Sequence, residues 1–314
     1  MKYDVTAIGE LLIDFTPITI DGKSGFLPNP GGAPANVAAA VGKLGGNSAF
    51  IGKVGDDAFG HFLKEILRGE CVDTAGLILD KSTPTTLAFV HLDETGERSF
   101  SFYRKYCADT QLSRDELNLF VIARSKFLHF GSVSLTDAPA REAVLCAVQH
   151  ASKHKALISY DPNYRPALWN SEAEAVSAMR AVLALADLIK VSQEELRLLT
   201  GTSDLSAGSA SLAEHGARLV VVTLGADGAL FRYGDHAAHV PSIPIKAVDT
   251  NGAGDAFWGA LLYQLTRTEN PFALSHTELE QAVRFANVAG ALAATKSGAI
   301  PALPSPEEVY AHMH

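Results

Sequence analysis

Cysteine is scarce in this sequence. The three residues, Cys71, Cys107 and Cys146, are an odd number and have no Cys-x-x-Cys spacing. A disulfide framework needs paired thiols and a zinc knuckle needs closely spaced ones, so both classes of protein are excluded. Unpaired thiols are typical of a reducing compartment, and we expect the protein to be cytoplasmic.

Positive charge and long apolar runs are also limited. There are 26 Lys and Arg residues against 35 Asp and Glu, a formal net charge of −9 at pH 7, and no run of five like charges occurs. We expect no nucleic-acid partner, because binding to a phosphate backbone needs clustered cations. No stretch reaches 18 apolar residues, and acidic residues interrupt the N-terminal segment at Asp4, Glu10 and Asp14. The sequence therefore predicts neither a membrane partner nor a secretory leader.

Short apolar segments rich in β-branched residues alternate with helical patterns along the whole chain. This alternation is typical of parallel strands joined by crossover helices, and it predicts one α/β domain over 1–314. The predicted strands are 4–9, 48–54, 126–131, 155–160, 187–191 and 218–224. The predicted helices are 34–44, 57–68, 137–151, 171–185, 193–200, 253–267 and 276–296.

Two stretches depart from this alternation. Residues 11–20 and 85–104 alternate apolar and polar side chains, and the second contains a DETGE turn. These patterns predict antiparallel hairpins of a small sheet outside the main layer. Such a sheet would cover either an active-site cleft or a partner subunit.

A glycine-rich turn precedes a helical pattern in DTNGAGDAF at 249–257. Gly252, Ala253 and Gly254 could bring backbone N–H groups close to an anion, with the helix dipole adding to the attraction. Asp255 has two interpretations that this segment leaves open. It could cap the helix, or it could take a proton from a hydroxyl that attacks phosphorus.

Other glycine-loop motifs fail on their spacing. The only Gly-Lys-Ser, at 22–24, has Pro17 where a Walker A loop needs glycine. A dinucleotide fingerprint would need glycine where Phe257 stands, and it would follow an early strand. Neither a P-loop nor a hydride-transfer enzyme is predicted.

A second glycine site is GGAPAN at 31–36, which opens a helical pattern. Gly31 and Gly32 could let a ligand approach the backbone, although their spacing alone favours a simple tight turn, since Gly-Gly turns are common. Asp14 is a carboxylate within an apolar strand pattern and needs either exposure or a partner. Together with Asn36, it would suit the hydroxyls of a sugar.

These stretches resemble a known family. Residues 31–55 and 249–257 are similar to the two signature stretches of the ribokinase-like (PfkB) carbohydrate kinases, and the likeness covers almost the whole chain. GERSFSFYR at 96–104 and DPNYRPALW at 161–169 resemble the bacterial fructokinases of that family. The resemblance implies a doubly wound, mostly parallel sheet flanked by helices, with a small β-sheet lid.

The implied reaction is transfer of the γ-phosphoryl group of ATP to a primary hydroxyl of a ketohexose, with fructose as the first candidate and Mg²⁺ as cofactor. Other acceptors stay open, namely 2-keto-3-deoxygluconate, ribose, a nucleoside or a phosphosugar, as does a sugar-binding protein without catalysis. A phosphosugar would need additional cations, for which Arg104 and Lys105 are candidates. The implied lid comprises 11–30 and 85–106, and its edges suggest a homodimer.

The resemblance also implies roles for individual residues of the reaction centre. Asp255 corresponds to the catalytic base, and Gly252, Ala253 and Gly254 correspond to the anion hole. Asp14, Gly31, Gly32 and Asn36 correspond to the sugar-binding positions. Lid residues Arg98, Phe102 and Arg104 share one strand face by their alternation, but the sequence leaves open which face meets the sugar. Asn163 and Arg165 follow a predicted parallel strand, where Asn163 could contact substrate and Arg165 the transferred phosphoryl group, or Arg165 could be exposed to solvent.

On the nucleotide side, the resemblance places Thr223, Gly225 and Gly228 in the ATP pocket and Asn287 beside the adenine. The family's Asn-x-x-Glu stretch falls on Ser192 to Glu195, so the Asn is replaced while the Glu is present. Glu195 could hold Mg²⁺ through waters and Lys190 could offset phosphate charge, or Ser192 could simply cap a helix. A K⁺ site is implied at Asp249, Asn251, Ala293 and Gly298.

Overall fold

The computed structural model describes residues 2–92 and 98–313, with the backbone alone for residues 92 and 98–100. Its strands are β1 (Tyr3–Ile8), β2 (Leu12–Ile20), β3 (Lys23–Gly31), β4 (Ser48–Gly55), β5 (Val72–Asp80), β6 (Leu87–Leu92), β7 (Arg98–Tyr103), β8 (Ser125–Gly131), β9 (Leu157–Asp161), β10 (Leu188–Ser192), β11 (Leu219–Thr223), β12 (Ala229–Tyr233) and β13 (His236–Val240). Its helices are α1 (Ala33–Lys43), α2 (Ala58–Gly69), α3 (Leu119–Ile122), α4 (Ala140–Lys153), α5 (Glu172–Ala181), α6 (Gln193–Thr200), α7 (Leu205–Ala213), α8 (Ala253–Thr266), α9 (His276–Ala293) and α10 (Pro306–Ala311).

Nine strands form the large sheet, in the order β13-β12-β11-β10-β9-β8-β1-β4-β5. The strands from β11 to β5 pair in parallel, and β12 and β13 are antiparallel. The chain starts at β1, the third strand from one edge, and builds outward through β4 to β5. It then returns to β8, on the other side of β1, and builds the remaining six strands. Because the strand order reverses between β1 and β8, a crevice opens at the carboxyl ends of these strands, where open α/β sheets bind ligands. The predicted doubly wound fold is confirmed.

Both faces of the large sheet are buried. In β11, Val220 and Val222 pack into a cluster beneath α4 to α7, while Leu219 and Val221 pack into a second cluster beneath α1, α8 and α9. Successive side chains of a strand point to opposite faces, so a strand buried on both sides needs a continuous apolar run. This requirement explains why the β-branched segments identified the central strands.

Four strands form the small sheet, in the order β3-β2-β6-β7. The hairpins β2–β3 and β6–β7 are antiparallel, as expected, whereas the central pair β2·β6 is parallel. The two hairpins leave the large sheet at the carboxyl ends of β1 and β5, which are parallel strands, so their first strands run in the same direction. We call this sheet the lid.

Some elements lack a sequence signal strong enough to predict them. β5 contains Gly76, and the half-exposed pair β12–β13 has little apolar alternation. Helix α7 is built mainly from Ala, Ser and Gly and has no apolar stripe. The helix predicted at 171–185 ends at Ala181, beyond which the backbone tightens into a short 3₁₀ turn. Among the described residues, none of the helices combines the length and the hydropathy that crossing a bilayer requires.

Candidate active site

Two cavities meet at the carboxyl edge of the large sheet. The larger cavity has a volume of about 760 Å³, within the usual range for small-molecule sites. The smaller cavity lies under the lid, between β2 and the start of α1. Both cavities are lined by Asn163, Arg165, Asn251 and Asp255. A group bound in one cavity can therefore reach a group bound in the other at Asp255.

Asp255 lies in the first turn of α8 and is only 5% exposed. Its Oδ2 accepts a hydrogen bond from Asn36 Nδ2 at 2.8 Å, and its Oδ1 accepts one from Asn163 Nδ2 at 3.0 Å. The N-cap of α8 is Gly252, whose φ of 74° is left-handed, and no side chain caps this helix. The helix-cap interpretation of Asp255 therefore does not match its contacts, and the carboxylate is instead held at the junction of the cavities.

The start of α8 offers a favourable place for negative charge. Gly252 lies against Ala299 so closely that a Cβ would collide with it. A Cβ on Gly254 would lie 3.0 Å from Lys190 Nζ, so the Lys190 ammonium stands beside the helix N-terminus. The helix dipole and this cation both favour an anion in the larger cavity.

Lys190 belongs to a buried charge cluster that includes Asp161. Lys190 Nζ donates to Asp161 Oδ2 at 2.6 Å, and Asp161 Oδ1 accepts from the backbone N–H of Asn163 at 3.2 Å. Burial opposes the charge of Lys190, but the carboxylates of Asp161 and Glu195 outweigh it and raise the pKa of Lys190. Sequence reasoning missed Asp161, although its place at the end of β9 in the DPNYRP stretch was a signal.

Glu195 lines the larger cavity, and both of its carboxylate oxygens accept backbone N–H groups. Oε1 accepts from Tyr164 and Oε2 from Ser192, each at 2.7 Å. Ser192 Oγ in turn accepts from the Glu195 N–H at 3.1 Å, which completes a capping box at the start of α6. The Ser that replaces the family's Asn is therefore a helix cap, and Glu195 remains at the cavity wall.

Two adjacent glycines, Gly31 at the end of β3 and Gly32 at the N-cap of α1, make room for other parts of the protein. A Cβ on Gly31 would overlap the Asp14 carboxylate, and a Cβ on Gly32, whose φ is +113°, would overlap the Glu10 carbonyl oxygen. Burial raises the pKa of Asp14 to about 6, although a hydrogen bond from Asn251 lowers it. The glycines thus allow two acidic residues to sit under the first turn of α1, both facing the smaller cavity.

Asn36 offers an acceptor to a ligand. Its Nδ2 is used by Asp255, while its buried Oδ1 has no hydrogen-bond partner among the described residues. Leaving a buried polar atom unpaired costs free energy unless a ligand or water satisfies it. This atom is therefore suited to accept a hydrogen bond from a hydroxyl in the smaller cavity.

The lid residues that the sequence assigned to sugar binding have different positions in the structure. Phe102 lines the smaller cavity, which identifies the lid face that meets it. Arg104 does not line that cavity: its guanidinium donates to Asp109 Oδ2 at 2.6 Å, to Thr136 Oγ1 at 2.7 Å and to the Val133 carbonyl at 3.0 Å. The side chain of Arg98 lies outside the described residues.

Of the residues assigned to the ATP pocket, only some line the larger cavity. Thr223 lines the larger cavity, whereas Gly225, Gly228 and Asn287 do not. A Cβ on Gly228 would collide with the Val240 carbonyl, and Asn287 Nδ2 donates to that same carbonyl at 2.8 Å. Gly228 and Asn287 therefore hold the chain where it leaves β13.

The residues of the implied K⁺ site come from two adjoining segments beside Gly252. Asp249 Oδ1 accepts from the Asn251 N–H at 2.7 Å, and Asp249 Oδ2 accepts from the Gly298 N–H at 3.1 Å. The N–H groups of Val248 and Asp249 donate to the carbonyl of Ala294, the residue after Ala293. Asp249 is thus in contact with Asn251 and Gly298, and Ala293 directly precedes the residue whose carbonyl accepts from Asp249.

Comparison with known proteins adds independent findings. A sequence profile described as pfkB family carbohydrate kinase matches residues 2–306. A probable fructokinase-2 of Arabidopsis thaliana is 47% identical over 96% of this chain and 93% of its own, and fructokinase-1 of Oryza sativa subsp. japonica is 46% identical over 97% and 96%.

Solved structures agree with these sequence relatives. The ATP-bound fructokinase of Xylella fastidiosa superposes with a TM-score of 0.92 at 36% identity, covering 99% of this chain and 98% of its own. The Vibrio cholerae fructokinase bound to fructose, ADP and calcium superposes with a TM-score of 0.90 at 38% identity and the same coverage.

Proposed function

Because the chain belongs to the pfkB family of carbohydrate kinases, we propose that it is a fructokinase, which transfers the γ-phosphoryl group of ATP to the 6-hydroxyl of fructose. The observation that supports this most strongly is the position of Asp255, at the wall shared by the larger and the smaller cavity. A phosphoryl donor in one cavity and a hydroxyl in the other would meet at this carboxylate.

Asp255 is the general base of the proposed reaction. The carboxylate accepts the proton of the sugar hydroxyl as its oxygen attacks the γ-phosphorus, and the two amides from Asn36 and Asn163 fix the direction of its oxygens. The N-terminus of α8 and the Lys190 ammonium stabilise negative charge that develops on the phosphoryl oxygens. Positioning and electrostatics of this kind supply most of the catalysis in phosphoryl transfer.

The contacts of the smaller cavity support a neutral sugar as the acceptor. Asp14 and the free Oδ1 of Asn36 offer hydrogen-bond acceptors to hydroxyl donors, and Phe102 covers them from the lid. A phosphosugar would need cations at this cavity. Arg104, the first candidate for that role, is paired with Asp109, and neither Arg104 nor Lys105 lines this cavity. Arg165 does line it, but Arg165 also lines the larger cavity. A second phosphate would therefore have a single cation, which it would share with the phosphoryl donor.

The oxygen atoms at this site are compatible with metal cofactors as ligands. Magnesium favours carboxylate oxygens and keeps several waters, and Glu195 presents its carboxylate at the wall of the larger cavity. When bound, Mg²⁺ would neutralise charge on the phosphates of ATP. For K⁺, we propose a site at Asp249, Asn251, Ala293 and Gly298, where the Asp249 carboxylate bonds to the N–H groups of Asn251 and Gly298. We also propose a cytoplasmic location, in keeping with three unpaired cysteines.

A sugar-dependent ADP-release assay tests the function. With ATP and MgCl₂, fructose should give a higher kcat/KM than ribose, a nucleoside, 2-keto-3-deoxygluconate or fructose 6-phosphate. Replacing NaCl by KCl in the same assay should increase turnover. A different preferred sugar would contradict the fructose assignment, and sugar binding without ADP release would contradict catalysis.

A further inference from the structure

Glu10 is a buried acidic residue that the proposed mechanism does not use. It follows β1 at the point where the strand order reverses, it is 3% exposed, and it lines the smaller cavity together with Asp14 and Asn36. Burial raises the pKa of Glu10 to about 7, and the charged groups acting on it are Arg104 and Asp109. A carboxyl group retained in such a setting points to a functional role.

The hydrogen bonds of Glu10 explain its orientation but leave acceptor sites open. Oε1 accepts the N–H of Ala33 at 3.1 Å, and Oε2 accepts the hydroxyl of Ser134 at 3.2 Å. Because the N-cap of α1 is Gly32, which has no side chain to cap the helix, Glu10 supplies that contact from outside. Each carboxylate oxygen can accept more than one hydrogen bond, so both can also accept from a ligand.

The spacing along α1 relates Glu10 to the proposed reaction centre. Glu10 bonds to Ala33, and Asp255 bonds to Asn36, three residues further along the same helix. Residues three apart lie on one helix face, about 4.5 Å apart along the axis. Both carboxyl groups also line the smaller cavity. A sugar whose reacting hydroxyl is at Asp255 can therefore extend to Glu10 with its other hydroxyls.

We propose that Glu10 binds a sugar hydroxyl remote from the one that is phosphorylated, and so determines which sugars the enzyme accepts. This inference rests on the proposed function. Glu10 acts in binding rather than in proton transfer, because Asp255 also lines the larger cavity, where the phosphoryl donor would bind, whereas Glu10 lines only the smaller cavity.

The test uses Glu10→Gln, which keeps the side-chain length and an oxygen for the Ala33 N–H. At about pH 8, above the pKa of about 7, the Glu10 carboxyl group is mostly ionised. Losing a hydrogen bond to this charged acceptor should then raise KM for fructose by about 10- to 100-fold. We expect kcat and the KM for ATP to stay within about threefold of the wild-type values, since neither phosphoryl transfer nor ATP binding involves this carboxylate. Glu278→Gln is the control: Glu278 is also a helix-capping glutamate, on the exposed start of α9, and KM should not change.

A set of deoxyfructoses identifies the hydroxyl. The analogue that lacks the hydroxyl bound by Glu10 should bind weakly to the wild type, and Glu10→Gln should weaken it no further, because the interaction is already lost. Calorimetric titration of each sugar measures this without turnover. If Glu10→Gln folds poorly, Glu10→Asp retains the charge but withdraws it by one methylene, and it should raise KM for fructose in the same direction.

Two outcomes would overturn the inference. One is a lower Tm of Glu10→Gln with unchanged sugar affinity, which would make Glu10 a helix cap only. The other is a loss of affinity in Glu10→Gln that adds to the loss caused by removing a hydroxyl, whichever hydroxyl of the sugar is removed. If the wild type did not phosphorylate fructose, this would contradict the proposed function instead. The Glu10 variants would then be compared with the wild type on the sugar preferred in the ADP-release assay.

Discussion

At the scale of single residues, the arrangement around Asp255 is determined by two amide side chains. Asn36 and Asn163 each donate to a different carboxylate oxygen. The carboxylate therefore has a defined direction before substrate binds, and no reorganisation is needed at the moment of reaction. Asn163 was expected to contact substrate. In the structure its Nδ2 is bonded to the proposed base, and the residue also lines the smaller cavity.

Replacing Asp255 by Asn should reduce kcat by about two to four orders of magnitude, because a positioned general base is lost. Fructose affinity measured by calorimetry should change by less than tenfold, since the shape of the cavity is kept. Asp204→Asn is the matched control, because Asn caps α7 as well as Asp does. A loss of turnover below tenfold in Asp255→Asn would show that this residue is not the base.

Glu10 should make stability depend on pH. Its pKa is raised from 4.5 to about 7, so the folded protein keeps a proton that the unfolded chain releases. The stabilisation is fully present below pH 4.5 and is lost as pH rises through 7. The difference corresponds to about 3 kcal/mol.

Urea unfolding of the wild type and of Glu10→Gln at pH 4.5 and pH 8 measures this effect. The wild type should lose about 3 kcal/mol relative to the variant over that interval, and other groups such as Asp14 cancel because both proteins contain them. A constant difference between the two proteins would mean that Glu10 has the same pKa in both states.

At the scale of secondary-structure elements, the second lid hairpin is fastened at both ends to one carboxylate. Asp109 accepts from Thr86, just before β6, and from Arg104, just after β7. Arg104 also bonds to the loop after β8 through Val133 and Thr136. The root of this hairpin is therefore fixed to the large sheet, and the position of Phe102 over the smaller cavity follows from it.

Arg104→Met should destabilise the protein by about 3 to 5 kcal/mol, because it leaves the Asp109 carboxylate buried without its cation. Thermal unfolding measures the loss. Adding Asp109→Asn to this variant should recover part of it, since the unpaired charge is then removed. An Arg104→Met protein of normal stability but with weak sugar binding would instead support the role first expected from the sequence, that of a sugar ligand.

At the scale of the whole molecule, the lid extends beyond the cavity it covers. The lid face that carries Asp14 continues to Ile20 and Leu27, which are 63% and 49% exposed. An uncovered apolar surface next to the sheet edge formed by β3 is a place where a second chain can bind. We propose that two copies associate through their lids.

Leu27→Asp should weaken the proposed association of two copies, because a charge on the apolar lid face disfavours its burial. Sedimentation equilibrium over a range of concentrations measures the change. Leu185→Asp is the control, since Leu185 is also exposed but lies far from the lid in the turn after α5. A wild type that remains monomeric at all concentrations would contradict the association.

Local patterns in the sequence were sufficient for the central strands, for most helices and for the place of Asp255 at a helix start after a glycine turn. These features depend on residues close in the chain, such as the apolar run of β11 and the GAG turn before α8. The edge hairpin β12–β13 and helix α7 were missed because neither needs a distinctive apolar pattern. The parallel pairing of β2 with β6 was missed because it follows from where β1 and β5 end.

The family, the doubly wound layer structure and the candidate base could therefore be predicted from the sequence, since each depends on short continuous stretches. The side chains that contact this base, and those that instead stabilise the fold, could be identified from the three-dimensional arrangement alone. Asn36 and Asp255 are 219 positions apart, and Arg104 is taken from the proposed sugar site by Asp109. A hydrogen bond or an ion pair depends on distance in space, which the spacing of residues along a chain does not specify.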